Sequence, residues 1–391
     1  MRDISLLVCL WLCLGLVCLG VPLLYFFYIC RYADKTWNLK TDNHFQPSVS
    51  IIVPTYNEGQ VIRYKLQNLV ELNYPKDLIQ VVIVDSASTD GTMREIESFK
   101  ENNSNLDIVA IRENKRTGKS SALNLALKHS RGEIVIVSDA DCFWPSDILT
   151  LSVPYLADET VAAIAGKEKI LNPRQSWVTE TESLYRDTMF KIQLGESKLR
   201  STVQFEGGFG AYKRRLLNQF DVETGSDDSG TALNLVQTGF RTIVLPQATF
   251  YTFFPPTWKG KMTIKVRRAK QFMRIWTKCF ILFAKGKLVL PKRIFFPQAF
   301  LLLINPILCM AFALTSILLI GQFPWFALLP IILVIIPKTR VYLVEFLQNN
   351  LVALLALSET LGGKRSLVWT KAEDSRENFD VDVLKRNGLI K

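Results

Sequence analysis

The sequence predicts an α/β domain with a parallel sheet, flanked by hydrophobic helices long enough to cross a membrane. Four short runs rich in β-branched residues each break into a polar loop and then into a helical pattern. Two stretches, 4–30 and 294–337, contain no charged residue. The net charge of +11 comes from one segment. Residues 259–293 hold twelve Lys or Arg and no acid, which leaves 35 basic and 36 acidic residues elsewhere.

The composition excludes several classes of protein. With 391 residues, 49% of them hydrophobic, and only seven cysteines, the chain is no disordered tail, fibrous repeat or small disulfide scaffold. A nucleic-acid-binding protein spreads its basic residues over a surface, whereas here the excess of basic over acidic residues is confined to one segment. We therefore expect no nucleic-acid partner.

The first uncharged stretch predicts a transmembrane helix within residues 1–35. At about 1.5 Å per residue, the run 4–30 exceeds the hydrocarbon core of a bilayer, which is ~30 Å thick. A cleaved signal peptide is the alternative. Its apolar region is usually only ~7–15 residues long and ends at a small-x-small site, neither of which fits this run.

The predicted α/β domain at 47–256 begins with four strands, each followed by a polar loop. They are VSIIV (49–53) before PTYNEG, QVVIV (80–84) before DSASTDGT, LDIVAI (106–111) before RENKRTGKSSALNLAL, and EIVIV (133–137) before SDAD. Runs without alternation are typical of parallel strands, because both faces of such a sheet are buried. Thr92 and Glu95 have the spacing of a capping box, which predicts the start of a helix after the second strand.

Polar residues follow these strands at the edge where open parallel sheets bind ligands. They are Pro54 to Glu58, Asp85, Arg112 to Lys119, and Asp139 with Asp141. Asp139 and Asp141 are two apart at a strand end, so both point to one face and repel each other without a cation. Such oxygen ligands suit Mg²⁺ or Mn²⁺ bridging a diphosphate, and Lys119 adds a positive charge. An ordinary solvated turn is the alternative.

Taken together, the four loops resemble those of the family 2 inverting glycosyltransferases of the GT-A fold. PTYNEG, the D-x-x-S-T-D-G-T loop, GKSSALNLAL and DAD follow the family's order, and the resemblance covers about residues 47–280. Membrane-bound members such as hyaluronan and cellulose synthases and polyprenyl-phosphate sugar transferases are similar in plan. The resemblance implies transfer, with inversion, of a sugar from a UDP- or GDP-linked donor to a lipid-linked or polysaccharide acceptor.

The resemblance also implies roles for the loop residues. Base and ribose would be held by Pro54, Tyr56, Glu58 and Asp85, the nucleotide by Lys119 and Asp139, and the metal by Asp139 and Asp141. The second loop departs from the family, because Asp85 is followed by Ser86 where many members have two acids. One nucleotide contact is therefore lost or replaced.

Two later segments resemble the acceptor side and the base of these enzymes. GGFG (207–210) resembles the glycine-rich acceptor segment, and SDDSGTALNLVQTGFR (226–241) resembles the block that carries the catalytic base. In that block Asp227 takes the position of a glutamate and Asp228 that of the base. An inverting displacement needs one carboxylate to take the acceptor's proton, which supports Asp228. Helix capping is an alternative role for Asp228 and is compatible with the first.

The basic segment, 257–293, predicts an amphipathic helix lying on anionic membrane lipids. Its apolar residues recur at roughly helical spacing; they are Phe272, Ile275, Trp276, Phe280 and Ile281. We expect Trp276 at the level of the headgroups. The part KVRRAKQFMRIW (265–276) occupies the place of the Q-x-x-R-W motif of processive synthases. It has no tryptophan at the expected position, since Trp276 lies too far along, and this leaves processivity open. Arg267 and Arg268 are expected at the diphosphate leaving group. For the basic segment as a whole, a plain topology signal is the alternative to an interfacial helix.

The rest of the chain predicts further membrane segments. Residues 294–337 read as a transmembrane hairpin, interrupted by GQFPW (321–325), with a short second arm. Residues 338–391 are expected to form an interfacial helix over 341–361, which carries Glu345, and then a charged tail. The flanking positive charges predict a multi-pass protein of the cell membrane with its catalytic domain in the cytoplasm.

Two other functions remain open from the sequence alone. A nucleotidyltransferase on a similar fold has no evident need for Asp228 or for a membrane hairpin. A non-enzymatic membrane scaffold or transporter subunit is the second, and the lack of acidic residues within the predicted spans argues against ion coupling.

Overall fold

The computed structural model describes residues 2–361 and 379–391, which fall into two compact units. The larger unit, which holds the α/β domain predicted from the sequence to carry catalysis and is called the catalytic domain after that prediction, comprises residues 32–261 with residues 379–391. The smaller unit comprises residues 2–31 and 262–361. Its helices are mostly apolar.

The catalytic domain is built on an eight-stranded sheet. Its strands are β1 (Val49–Thr55), β2 (Ile79–Asp85), β3 (Asp107–Arg112), β4 (Ile134–Val137), β5 (Cys142–Phe143), β6 (Val161–Ile170), β7 (Gly210–Lys213) and β8 (Arg241–Thr252). Their order across the sheet is β3-β2-β1-β4-β7-β6-β8-β5. β1 to β4 are parallel, as the sequence predicted, whereas β7 and β5 run antiparallel to their neighbours. The α/β fold class is confirmed, with a sheet that becomes mixed beyond β4.

Helices cover the sheet and make up the smaller unit. They are α1 (Arg2–Ala33), α2 (Ile62–Val70), α3 (Thr92–Asn102), α4 (Lys119–His129), α5 (Ile148–Ser152), α6 (Trp177–Leu199), α7 (Ser229–Gln237), α8 (Trp258–Ala284), α9 (Lys292–Ala299), α10 (Asn305–Gln322), α11 (Leu328–Ile335), α12 (Pro337–Leu361) and α13 (Val381–Arg386). A π-helical turn, Phe300–Ile304, joins α9 to α10.

Both faces of the parallel part of the sheet are buried, which is why its strands are continuously apolar. On one face, Ile51 and Val53 of β1 pack with side chains of α2 and α3. On the other face, Ile52 packs with Ala122 and Leu123 of α4. Full burial of each such aliphatic side chain contributes roughly 1.5–3 kcal/mol. This two-sided core fixes the strand ends from which the polar loops extend.

The predicted capping box at the start of α3 is wrong. Thr92 makes no cap with Glu95, and the residue before the helix, Gly91, has no side chain to offer. Asp90 takes the role instead, because its carboxylate accepts hydrogen bonds from the backbone N–H of Thr92, at 2.9 Å, and from the Thr92 hydroxyl. An aspartate satisfies a helix N-terminus as well as a threonine does.

The C-terminal residues pack against the catalytic domain and are not a purely charged tail. Leu384 and Leu389 are buried in a cluster with Phe143 of β5, and the ring of Phe379 lies 5.9 Å from that of Phe143. The side-chain amide of Asn68 donates to the Leu389 carbonyl at 2.6 Å. The tail residues from Lys364 to 378 lie outside the described residues. Nothing in the charge pattern signalled this packing, because only a few apolar residues carry it.

Two of the described helices are long and apolar enough to cross a membrane, by length and composition. They cover Leu6–Ala33, with a mean hydropathy of 2.6, and Lys292–Gln322, with a mean hydropathy of 2.3. Within the smaller unit, Trp11 of α1 donates to the Ser316 hydroxyl of α10 at 2.8 Å and stacks on Phe312. The second arm of the predicted hairpin, α11, has eight residues and spans only about 12 Å.

Polar residues of the smaller unit pair with one another. Lys265 of α8 donates to Glu345 at 2.7 Å and to Asn349 at 2.9 Å, both on α12. Glu345 therefore forms a buried ion pair between two helices.

The expectation that Trp276 lies among lipid headgroups is wrong, since Trp276 is fully buried, whereas Phe280 is exposed.

Candidate functional site

The four polar loops meet at one edge of the sheet, because the carboxyl ends of parallel strands lie together. Thr55 at the end of β1 is in register with Asp85 at the end of β2, and Asp85 with Arg112 at the end of β3. Asp139 and Asp141 follow β4, which pairs with β1 on its other side. The sequence-predicted residues of these loops are therefore neighbours in space.

The loop after β1 is held rigidly by the loop after β2. The Asn57 backbone N–H donates to the Ser88 hydroxyl at 2.8 Å, and the Asn57 side chain accepts from the Thr89 N–H at 2.9 Å. The Glu58 N–H donates to the Thr92 hydroxyl at 2.8 Å. Asn57 has a φ of 53°, a left-handed conformation that asparagine tolerates better than most residues. The segment with Tyr56 and Glu58 thus has a fixed shape.

Asp85 is directed into the protein. Only 1% of this residue is exposed, and its carboxylate accepts hydrogen bonds from the Ser88 N–H at 3.2 Å, from the Ser88 hydroxyl and from the Thr55 hydroxyl at 3.4 Å. An aspartate with these donors shapes the turn that follows it. Asp85 therefore helps to form the loop, and its predicted contact with the nucleoside stays a prediction.

Tyr56 and Arg116 form one wall of the edge. The guanidinium carbon of Arg116, from the loop after β3, lies 3.8 Å from the centre of the Tyr56 ring. A guanidinium over a tyrosine face is a stabilising cation–π contact. The sequence places Arg116 within a polar loop and gives no sign of a role for it. Its contact with Tyr56 forms only when the two loops come together in the fold.

Lys119 joins the loop after β4 to the segment before α7. As the first residue of α4, it places its ammonium 2.7 Å from Asp139 Oδ1 and 3.1 Å from Asp227 Oδ2. Gly207 lies against this cluster, because a Cβ at that position would come within 2.9 Å of Lys119 Nζ and 3.0 Å of Asp139 Oδ2. Gly207 of the GGFG segment thus allows Lys119 and Asp139 to approach the backbone closely without displacement.

The charges of this cluster depend on one another. Burial lowers the pKa of Lys119, but the carboxylates of Asp139, Asp227 and Asp228 outweigh it and hold that pKa well above its usual value. Burial raises the pKa of Asp139, and Lys119 opposes that rise while Asp141 adds to it. Lys119 therefore remains positively charged and stabilises the carboxylate form of its acidic neighbours.

Asp228 is the N-cap residue of α7, directly before Ser229, and has a raised pKa. Its Oδ1 accepts hydrogen bonds of 2.6 Å from both the Ser229 N–H and the Ser226 hydroxyl. Burial, followed by the nearby charge of Asp227, raises its pKa to about 6, with Lys119 acting in the opposite direction. Capping of α7, the alternative role for Asp228, is present in the structure. A carboxyl with this pKa is largely ionised at neutral pH and is more basic than an ordinary aspartate.

Asp139, Asp141 and Cys142 form a candidate metal site. Ligand atoms of the three residues lie within 4.8 Å of one another. Burial raises the pKa of the Cys142 thiol well above its usual value, so the thiol stays protonated and is a poor metal ligand. The usable donors are then carboxylate oxygens, which fit a hard cation such as Mg²⁺ or Mn²⁺.

The predicted contact of Arg267 and Arg268 with the diphosphate stays a prediction. They lie half-buried on α8 in the smaller unit. Pro54 lies within β1, and Glu58 is buried in the loop that follows. Sequence reasoning missed Glu113, whose carboxylate accepts a hydrogen bond from Ser86 at 2.7 Å. The sequence contained one sign of it: many family members have a second acid at the position of Ser86, so another acid could be expected to replace it.

The chain is similar to several known proteins. A model of glycosyl transferase family 2 matches residues 50–220. The solved structure of a mannosyltransferase from Pyrobaculum calidifontis, in complex with GDP-Man and Mn²⁺, is 32% identical with a TM-score of 0.79. The alignment covers 92% of this chain and all of that one.

Two curated bacterial proteins are similar over shorter regions. A probable glycosyltransferase of Bacillus subtilis, YdaM, is 28% identical over 64% of this chain and 60% of its own length. A beta-monoglucosyldiacylglycerol synthase of Synechocystis is 34% identical over 41% of this chain and 34% of its own length. The chain thus spans about a third to three fifths of these two proteins.

Proposed function

Since the chain belongs to glycosyl transferase family 2 and is an enzyme that uses nucleotide sugars, we propose that it transfers the sugar with inversion to a lipid-linked or polysaccharide acceptor. The observation that carries the proposal is the cluster in which Lys119 lies between Asp139 and Asp227, with Asp228 next to it. This cluster combines a place for an anionic leaving group with a carboxylate of raised pKa.

Asp228 acts as the general base. The acceptor hydroxyl oxygen attacks the anomeric carbon, the bond from that carbon to the diphosphate oxygen breaks, and the hydroxyl proton passes to Asp228. The nucleoside diphosphate leaves with the electron pair of the broken bond. A base with a pKa of about 6 is ionised at neutral pH and still accepts a proton readily, which suits this step.

Asp139 and Asp141 hold a divalent cation, Mg²⁺ or Mn²⁺. When bound, the cation neutralises negative charge on the donor diphosphate. The fit rests on the two carboxylates of the candidate site, and the solved mannosyltransferase contains Mn²⁺ together with GDP-Man. Lys119 orients Asp139 and adds positive charge on the same side of the donor.

The donor lies along the carboxyl edge of β1 to β4. Pro54, Tyr56 and Glu58 form the nucleoside side, on a loop shaped by Asp85. Arg267 and Arg268 are proposed to meet the diphosphate as it leaves. The donor is UDP- or GDP-linked, and the complex of the solved relative with GDP-Man favours the second.

The acceptor is proposed to be a lipid or lipid-linked saccharide at the cytoplasmic face of the cell membrane. One relative is a glycolipid synthase by name, and two helices of this chain are long and apolar enough to span a bilayer. The exposed basic residues of the segment 259–293, among them Lys285, Lys287, Lys292 and Arg293, would face anionic lipids in this arrangement. A multi-pass topology with a cytoplasmic catalytic domain follows from the positive-inside rule.

The proposal is tested with the purified chain in detergent, Mn²⁺ and a panel of nucleotide sugars. Release of nucleoside diphosphate with a lipid extract as acceptor is the expected result, and analysis of the product gives the anomeric configuration. Release of pyrophosphate would indicate a nucleotidyltransferase. No turnover and no binding with any donor would favour a scaffold.

Two variants separate donor binding from transfer. Asp228→Asn should keep donor binding and lose transfer, because the amide cannot take the proton, whereas Asp141→Asn should weaken Mn²⁺-dependent nucleotide binding. Glu223→Gln, which changes an exposed acid just before the Asp228 segment, is the matched control. Wild-type turnover by Asp228→Asn would overturn the base assignment.

A further inference from the structure

The carboxylate of Glu113 lies at the end of β3 and has no part in the chemical step. Glu113 directly follows Arg112, the last residue of the strand, and is half-buried. Its Oε2 accepts from the Ser86 hydroxyl at 2.7 Å, and its Oε1 accepts from the Thr117 hydroxyl at 2.8 Å. The Glu113 backbone N–H donates to the Asp85 carbonyl at 2.8 Å. Backbone and side chain are therefore both fixed.

A carboxylate held in this way is suited to a ligand with paired donors. Each carboxylate oxygen accepts about two hydrogen bonds, so each Glu113 oxygen retains capacity beyond its hydroxyl partner. Because the hydroxyls of Ser86 and Thr117 bind different oxygens, they fix the plane of the group. A fixed carboxylate plane presents two parallel acceptors, which matches two adjacent N–H donors.

The position of Glu113 in the sheet indicates which part of a donor it meets. β3 is the edge strand, and β4, which precedes Asp139 and Asp141, lies three strands away, about 14 Å at ordinary strand spacing. In a nucleoside diphosphate the base is the part farthest from the diphosphate. A diphosphate at Asp139 therefore directs the base toward β3, where Arg116 and Tyr56 form a wall.

Resting on the proposed transfer from a nucleotide sugar, we propose that Glu113 selects a guanine nucleotide as the donor. Guanine has two neighbouring donors, N1–H and N2–H, which match the two oxygens of the Glu113 carboxylate. Uracil offers one N–H between two carbonyl oxygens, and those oxygens repel a carboxylate. Such a mismatch at a site built for hydrogen bonds discriminates strongly.

The proposal also accounts for the serine at position 86. Many members of the family have a second acid there, and this chain has a hydroxyl that donates to Glu113. The acid is thus supplied by the neighbouring strand, and Ser86 orients it. Thr117 is a second positioning residue on the other oxygen.

The test measures GDP and UDP binding to the full chain in detergent micelles with Mn²⁺, by calorimetry. The wild type should bind GDP more tightly than UDP. Glu113→Gln places an amide donor against the guanine donors and should weaken GDP binding by about ten- to a hundredfold, with UDP binding nearly unchanged. Thr117→Val, at an exposed position, should weaken GDP binding to a smaller degree. Glu101→Gln, an exposed acid on α3, is the matched control and should bind as the wild type does.

The outcomes separate this proposal from the glycosyltransferase proposal. Selective loss of GDP binding in Glu113→Gln supports the assignment. Equal loss of GDP and UDP would mean that Glu113 binds the ribose, and unchanged binding or a wild-type preference for UDP would mean that it does not select the base. Each of these results overturns the inference and leaves sugar transfer standing. A wild type that binds neither nucleotide overturns both.

Discussion

The ammonium of Lys119 lies 2.7 Å from a carboxylate oxygen of Asp139, and this contact connects the D-x-D segment to the segment that carries Asp228. The second contact of the same ammonium, 3.1 Å to Asp227, completes the connection. Three acids so close together repel one another unless a cation lies between them. Lys119 is that cation among the described residues, so the protonation state of the site depends on it.

Lys119→Met should therefore lower kcat/KM by about 100-fold, in the range found when a positioned charge is removed from an active site. It should also raise the pKa of Asp228 further, because Lys119 lowers that pKa in the wild type. Steady-state kinetics across pH measures both effects. Lys128→Met, an exposed change on the same helix, should leave them unaltered. An unchanged pH profile in Lys119→Met would show that the charge of Lys119 does not affect the protonation of Asp228.

The raised pKa of Asp228 predicts an acid limit to activity. With its pKa at about 6, the general base becomes protonated below that pH, and kcat/KM should fall by about tenfold per pH unit. Nucleotide binding measured at the same pH values separates this loss from protonation of metal ligands. A rate that stays constant down to pH 5 while binding is intact would contradict the assignment.

The same shift predicts a gain in stability when the carboxylate is removed. Because the pKa of Asp228 is raised above its ordinary value of 3.8, the folded chain binds this proton more tightly than the unfolded chain. The free energy of unfolding therefore falls as pH rises from about 4 to 6. Asp228→Asn keeps a good helix cap and should melt at the same temperature or higher at pH 7.5. A clearly lower melting temperature would indicate that Asp228 is needed for folding.

The sequence predicted the parallel strands and the edge at which Asp139, Asp141 and Lys119 meet, because buried strands and the loops after them have local patterns. It did not predict contacts that depend on distant segments. Arg116 meets Tyr56, Ser86 meets Glu113, and Gly207 makes room for Lys119 only after folding. The capping box failed for a local reason, since Asp90, two residues before Thr92, accepts the hydrogen bond from the Thr92 N–H at the start of α3.

Gly207→Ala should impair the site without unfolding the domain. The added Cβ would come within 2.9 Å of Lys119 Nζ, the far end of a flexible side chain that can move away from Asp139. We expect weaker Mn²⁺-dependent nucleotide binding and a largely unchanged melting temperature. Gly91→Ala is the control, because its Cβ would meet only the end of the Arg94 side chain at 3.3 Å. Wild-type nucleotide binding in Gly207→Ala would show that the Lys119–Asp139 contact tolerates displacement.

Removal of residues 379–391 should destabilise the catalytic domain. These residues cover Phe143, the second residue of β5, which begins directly after Asp141. Their loss exposes Val61, Phe143 and Phe253 and leaves the Asn68 amide without its bond to the Leu389 carbonyl at 2.6 Å. Truncation after 378 should therefore lower the melting temperature and weaken metal-dependent nucleotide binding.

Phe379→Ala isolates the packing contribution of the C-terminal residues from that of their charges. The Phe379 ring lies 5.4 Å from Tyr64, 5.6 Å from Phe253 and 5.9 Å from Phe143, and truncation of such a ring costs about 3–5 kcal/mol when it is well buried. Phe379 is half-buried, so we expect a smaller loss of stability in thermal melts, with Lys385→Ala as the exposed control. If truncation and Phe379→Ala both melted as the wild type does, the C-terminal residues would not support β5. A lower melting temperature with unchanged nucleotide binding would confine their effect to stability, since β5 would then hold Asp141 in place without them.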